Sequence, residues 1–449
     1  MLRNMVKIQV LPYFKKFEKN LNVEGLNRKY HGVDGEQSVA RYPYFDRPSI
    51  MITNAYVESG IPLGDFNGRY QLKTMQAQAF VQDGERVSAN NAFIQPIRYK
   101  RKNLTVRINS EVIKVLINKD KVAYGVKYVK DGIVHTAYAK KEVIVSGGSI
   151  NSPKLLMLSG IGPKEHLSKL HIRVKSNLAV GENLQDHATF SGIVIALPNR
   201  TSTLISNEEI MKEVYEYKHM KIKNGPLASN GPTNSAAFIK TDPNLPAPDV
   251  QIQVRPANLK DALRETVPND EIKIFPTAFY DAMLPLIIGL VPKSRGKLLL
   301  NPANPHGKPI IHANYFEDPR DLIPLVRGAK YILSLENTEA FRSNGATFVR
   351  TPMKACRDYE WGTDEYLVCL ARSYTLTTYH YVGTCKMGPH TDRKAVVDNK
   401  LRVYGISNLR VIDSSIMPVV VRGNTNAPSN MIGERGVAFV IDHWSNKYH

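Results

Sequence analysis

The chain has 449 residues, with 60 lysines and arginines against 41 aspartates and glutamates, for a net charge of +19. Its 43% hydrophobic and 22% charged content excludes wholesale disorder and collagen-like repeats, and at roughly 150 residues per domain the length implies two or three domains. The three cysteines, Cys356, Cys369 and Cys385, exclude a disulfide scaffold; their spacing matches no zinc motif, so no metal site and buried or free thiols are expected.

The opening 20 residues are interrupted by charge and do not read as a secretory signal. Leu11, Phe14 and Phe17 instead suggest a short amphipathic helix. The densest basic run, Arg98, Lys100, Arg101 and Lys102, reads as a solvated loop. No recognition module accompanies the charge, so no nucleic-acid partner is expected. Residues 103–109, 112–117, 123–128 and 136–139 alternate or run apolar between turn residues, the pattern of a β-meander. Glu142 to Ser146 then reads as a buried-type strand. Gly147-Gly148 follows it at once, and then a helix that Ser149 or Ser152 can cap, with Pro153 in its first turn. A strand–glycine–helix step of this kind is the local unit of a doubly wound α/β fold.

From about residue 191 to residue 374 the pattern changes. A helix over 207–221, strands over 250–254 and 296–300, and a helix over 318–335 suggest an α+β insert. The longest uncharged apolar stretch, Met283 to Pro292, is shorter than the roughly 20 residues of a spanning helix, so no transmembrane segment is expected. Near the end, strand 409–412 delivers Asp413 at its carboxyl end, and a Gly/Asn/Pro turn leads into a helix over 427–443. The expected architecture is therefore α/β plus α+β: a doubly wound, Rossmann-like domain split in sequence, with an inserted domain built on an antiparallel sheet with helices. The expected boundaries are 1–190, 191–374 and 375–449.

Four stretches carry a family resemblance: GSINSPKLLMLSGIG (148–162), VGENLQDH (180–187), YHYVGTCKMGP (379–389), and 396–433, which contains VIDSSIMP and GNTNAPSNMIG. In this order they resemble the glucose–methanol–choline (GMC) family of FAD-dependent oxidoreductases, most closely its insect glucose-dehydrogenase-like branch. SRGKLLL (294–300) and NYFEDPRDL (314–322) resemble that family's substrate domain. The resemblance implies oxidation of a CH–OH group in an alcohol, sugar or sterol by hydride transfer to flavin N5, with oxygen or a quinone as electron acceptor.

It also implies roles for individual residues. His380 is the expected acid/base, since an imidazole accepts and returns a proton near neutrality. Asn424, preferred over Asn426 on its spacing to the following helix, is expected to donate to the substrate oxygen as charge develops there. His187 reads as a structural fixture of its turn. Asp413 and Ser414 are implied contacts of the FAD phosphate–ribityl region, Asn426 and Ala427 of the flavin ring, and Val112 of the adenine, through its backbone. Gly147 and Gly148 form the small turn that lets a cofactor approach.

The GxGxxG turn that holds the FAD pyrophosphate in this family occurs nowhere in the 449 residues, nor does the family's first, glycine-rich signature. The expectation is a piece of a longer enzyme that by itself retains less than one flavin per chain, with any secretion signal of the kind common in the family lying upstream. The competing expectation is an inactive, GMC-like scaffold acting as a binding protein.

Overall fold

Two large hydrophobic cores organise the computed structural model, which describes residues 2–22, 27–263 and 277–445. One is built on a six-stranded antiparallel sheet in the order Thr347–Phe348, Ile195–Ala196, Ala282–Gly289, Val250–Ala257, Ser235–Ile239 and Thr74–Gln76. Its two long central strands pair in register from Val250↔Gly289 to Ala257↔Ala282. Alternate residues such as Ile252, Val254, Met283 and Ile287 point into the core.

The helix Leu322–Ser334 lies on this sheet with Leu322, Leu325, Val326, Ala329 and Ile332 buried, a helical stripe at i, i+3, i+4, i+7 and i+10. Gly328 permits the close approach: a Cβ there would sit 2.7 Å from Ile287 Cγ2. The helix Arg47–Glu58, capped by Asp46 through the amide of Ser49, contributes Met51, Ile52, Ala55 and Tyr56 to the same core. Residues near the start of the chain thus share a core with the 191–374 region.

Six elements position the site: β1 (Val143–Val145), α1 (Gly148–Leu158), β2 (Ala188–Phe190), β3 (Thr375–Thr377), β4 (Leu409–Val411) and α2 (Asn426–Ser445). β1 and β4 pair in parallel, Val143↔Leu409 to Val145↔Val411, and with α1 and α2 they form the second core with Leu156, Met157, Val382, Ile412 and Ile432. β2 and β3 pair antiparallel, Ala188↔Thr377 to Phe190↔Thr375. That ladder bridges the two cores.

The expected meander is present as strands Glu111–Ile117, Ala123–Lys130 and Ile133–Tyr138. Residues 103–109 are not a strand; Ile108 is exposed, so the alternation there has no apolar face to bury. The strand at 142–146 buries Val143 and Val145 but leaves Ile144 43% exposed, so it is covered on one face only.

The expectation of buried or free thiols is corrected for two of the three cysteines. Cys356 and Cys369 form a disulfide with Cα atoms 5.8 Å apart. Sequence spacing does not report that approach, which arises because a turn at Lys354–Cys356 folds back on the helix Asp364–Ser373. Cys385 is a buried free thiol. Among the described residues no helix is long and apolar enough to cross a membrane.

Candidate active site

The turn before β2 holds the site together. Asp186, 7% exposed, accepts the backbone amides of His187 (2.8 Å) and His380 (2.9 Å) on Oδ1. The hydroxyls of Tyr315 and Thr377 donate to its Oδ2. One carboxylate thus ties together two stretches 193 residues apart. Burial pushes the Asp186 carboxyl above its ordinary range, against the four hydrogen bonds that favour its charge.

Neighbouring pairings reinforce the tie. Gln185 and Val382 exchange backbone hydrogen bonds, and the Gln185 side chain reaches Pro418 O (3.0 Å) and Val420 N (3.2 Å). Gly383 has φ +92°, and a Cβ there would lie 2.4 Å from Asn183 O. Only glycine fits that turn without displacement.

His380 follows β3 by three residues and is 7% exposed. Its Nδ1 lies 3.0 Å from Thr378 Oγ1 and 3.0 Å from Nδ1 of His187, whose ring meets it edge-to-face at 5.1 Å between centroids. Its Nε2 lies 3.3 Å from Asn424 Nδ2. The Asn424 amide is oriented in turn by Gln251, whose Nε2 donates to Asn424 Oδ1 at 3.1 Å. Burial holds the His380 imidazole down to about 4. The fully enclosed His187 is held down to about 3 by burial and then by the charge His380 would carry. Both rings are therefore neutral at physiological pH. A neutral imidazole beside an amide donor can take a hydroxyl proton while the amide stabilises the oxygen it leaves.

The two acid–base candidates named from the sequence thus come together, 44 residues apart in the chain. Asn426 instead stands in the first turn of α2, where its Oδ1 and carbonyl face Asn430, and Ala427 follows it. Asp413 caps the turn after β4: its Oδ1 accepts from Ser415 N (2.8 Å), and its Oδ2 from Gly148 N (3.0 Å) and the Ser152 hydroxyl. Ser414 Oγ lies 3.0 Å from Ser149 Oγ, which itself donates to the carbonyl of Tyr381. Val112 is exposed on the meander, away from these contacts. Sequence reasoning missed the role of Asp186, Thr378, Tyr315 and Gln251. Gln251 is a buried amide at one of the polar positions of the alternating strand Val250–Ala257, which also carries Gln253 and Arg255, so nothing local singled it out.

Known proteins match this chain in sequence and fold. Sequence profiles described as GMC oxidoreductase match residues 3–189 and 292–433. The chain is 36% identical over 454 residues to the glucose dehydrogenase [FAD, quinone] of Drosophila pseudoobscura pseudoobscura, covering 98% of this chain and 69% of that one. The chain belongs to the GMC oxidoreductase family.

Human mitochondrial choline dehydrogenase is 34% identical, covering 96% of this chain and 69% of its own. An FAD-dependent oxidoreductase from Chaetomium thermophilum has the same fold, with a TM-score of 0.81 at 22% identity over 98% of this chain and 80% of that one. As a GMC oxidoreductase, the chain is a member of a family of FAD-dependent enzymes, and its residues fit part of that cofactor. Ser146 and Gly147, after the carboxyl end of β1, and Asn424 and Asn426, at the amino end of α2, are exposed. Nothing lies within 4 Å of where a Cβ on Gly148 would stand. The positive end of the α2 dipole begins two residues beyond Asn424. These groups suit the ring and ribityl chain of a flavin, and no GxGxxG turn for the pyrophosphate is present in the sequence.

Proposed function

We propose that this GMC oxidoreductase oxidises a CH–OH group of an alcohol or sugar, with His380 as the acid/base and Asn424 as the donor to the substrate oxygen. The observation that carries the reading is the contact between His380 Nε2 and the amide of Asn424, which joins a buried imidazole to an exposed amide two residues before α2. His380 removes the hydroxyl proton on Nε2, and Asn424, held by Gln251, donates to the oxygen as it gains charge. Asp413, Ser414, Gly147 and Gly148 would hold the ribityl side of FAD, Asn426 and Ala427 its ring, and Val112, more remotely, its adenine. The bound flavin supplies a hydride acceptor at N5.

A quinone is favoured as the electron acceptor over oxygen, on the likeness to an enzyme named for that acceptor. The test is turnover by FAD-supplemented protein on a panel of sugars, aliphatic alcohols and sterols, each with a quinone and with oxygen. His380→Ala is expected to lower the rate by roughly 10² to 10⁴. Equal rates for the variant and the wild type would remove His380 from the chemistry. No turnover by either, despite bound flavin, would leave the binding-scaffold alternative.

A further inference from the structure

The geometry points to His187 as the residue that sets the tautomer of His380: it accepts the Nδ1 proton of His380 and so leaves Nε2 bare, facing Asn424 and the substrate. The inference rests on the role proposed for His380 and deepens it.

The argument runs from the enclosed end of the pair outwards. His187 is fully buried and neutral, so it carries one proton on its ring. Its Nε2 is buried without a hydrogen-bond partner, and the backbone carbonyls of Leu290 and Val421 act on the ring. Nδ1 is turned to His380, and carbonyls beside the ring offer it only acceptors, which favours its proton on the other nitrogen, Nε2. Nδ1 of His187 is then a lone pair. It lies 3.0 Å from Nδ1 of His380, and two bare nitrogens at that distance would repel each other, so the proton between them belongs to His380.

Thr378 agrees independently. Its hydroxyl donates to the carbonyl of His187 at 2.9 Å, which leaves its oxygen to accept from the same Nδ1–H at 3.0 Å. With Nδ1 protonated, the neutral His380 has its lone pair on Nε2, where the Asn424 amide donates to it. The orientation of that amide, with its oxygen on Gln251 Nε2, follows from this network.

The alternative assignment fails. If His380 carried its proton on Nε2, Thr378, whose hydroxyl already donates to the carbonyl of His187, would face a bare Nδ1, and the Asn424 amide would meet an N–H in place of a lone pair. His187 is therefore a positioning residue. It is fully enclosed, and it acts by making the outward nitrogen of His380 the basic one. The same contact serves the charged state, because a proton taken up on Nε2 leaves Nδ1–H still donating to His187. Asp186 is the carboxylate that fixes both backbones, and Tyr315 holds Asp186.

The experiment uses the full chain labelled with ring-¹⁵N histidine. Two-bond ¹⁵N–¹H correlation spectra read which ring nitrogen of His380 is protonated, with the assignment made by its loss in His380→Ala. Three forms are compared: wild type, His187→Phe, which fills the space without an acceptor, and His187→Asn, whose side-chain oxygen can reach the position of Nδ1. The wild type is expected to show His380 protonated on Nδ1, His187→Phe a mixture or the Nε2–H form, and His187→Asn a return to Nδ1–H.

In turnover, His187→Phe is expected to lose about tenfold or more in kcat, the rate equivalent of one hydrogen bond, with KM changed less than about twofold and His187→Asn recovering most of the loss. A wild-type His380 protonated on Nε2 overturns the inference, as does an unchanged His380 tautomer in a folded His187→Phe. If His187→Phe does not fold, His187→Leu, which likewise lacks an acceptor, takes its place in the comparison. Full activity in His380→Ala would instead overturn the proposed catalytic role and leave the spectra to judge the tautomer separately.

Discussion

Replacing Asn424 with aspartate puts a carboxylate where an amide now lies 3.3 Å from Nε2 of His380. Gln251 already donates to the side-chain oxygen at this position, so a carboxylate would be held in place and kept ionised. At an effective dielectric of about 20, two unit charges at that distance attract by about 5 kcal/mol, equivalent to between 3 and 4 pKa units at ~1.4 kcal/mol each. Asn424 is on the exposed side of the contact, so solvent screens part of this, and a rise of about 1 to 3 units is expected.

The proposed base is the neutral imidazole of His380, held down to about 4 by burial, so the acid limb of kcat/KM in the wild type should fall only near that pH. In Asn424→Asp the limb should move upward by those 1 to 3 units, leaving the variant relatively weaker at pH 5 than at pH 8. The new charge also opposes alkoxide formation and lowers the plateau, but the position of the limb does not depend on its height. Asn424→Leu, which removes the donor and adds no charge, should lower the plateau and leave the limb near that of the wild type. The rate of exchange of the His380 C2 hydrogen against pH, read by mass spectrometry, measures the same titration without turnover. A limb that stays put or moves to lower pH in Asn424→Asp would refute the assigned contact.

Two further predictions concern stability. His31 is clamped between Glu18 (2.8 Å) and Asp65 (3.1 Å); burial alone would lower its pKa, but hydrogen bonds to Asp65 and Glu18 outweigh it and raise it from 6.5 to about 9. Its contribution is therefore fully present below pH 6.5 and lost as pH rises through about 9. His31→Gln should lose about 3 kcal/mol at pH 6 and much less at pH 9.5, as read by urea unfolding at both pH values; an equal loss at both would contradict the ion-pair account. Arg410, 1% exposed, pairs with Glu142 at 2.8 Å, so Glu142→Gln should cost about 3–5 kcal/mol by leaving a buried cation uncompensated. In the same unfolding assay the double change to methionine at both positions should lie closer to the wild type than either single change.

The parts of the fold legible in the sequence are those in which local pattern and tertiary role agree. The meander alternates, Gly147-Gly148 marks the step from β1 to α1, and Pro428 stands in the first turn of α2. The parts that stayed hidden have conflicting signals. The central strand Ala282–Gly289 contains Pro285, a residue that normally argues against an inner strand. It is tolerated here because the neighbour on one side, Ile195–Ala196, is only two residues long and pairs with Ala282 and Met283, so that edge loses no ladder bond at 285. The helix Arg47–Glu58 is rich in isoleucine, threonine and valine, which blurs its period, and only the Asp46 cap and Pro48 mark its start.

The site was legible as residue types and illegible as directions. The motifs single out His380 and Asn424, but an imidazole has two nitrogens, and which of them is basic depends on groups that the sequence scatters. Asp186 and His187 come from a turn, Gln251 from the start of an alternating strand, and Thr378 and His380 from the segment just after β3. None of these lies at a helical or strand spacing from another across the segments, so no periodicity could pair them. What joins them is the β2–β3 ladder together with one buried carboxylate that accepts both histidine amides. That carboxylate hydrogen-bonds neither imidazole ring. Its work is to set two backbones at the separation where the rings must share a proton, and the chemistry at Nε2 follows from that separation.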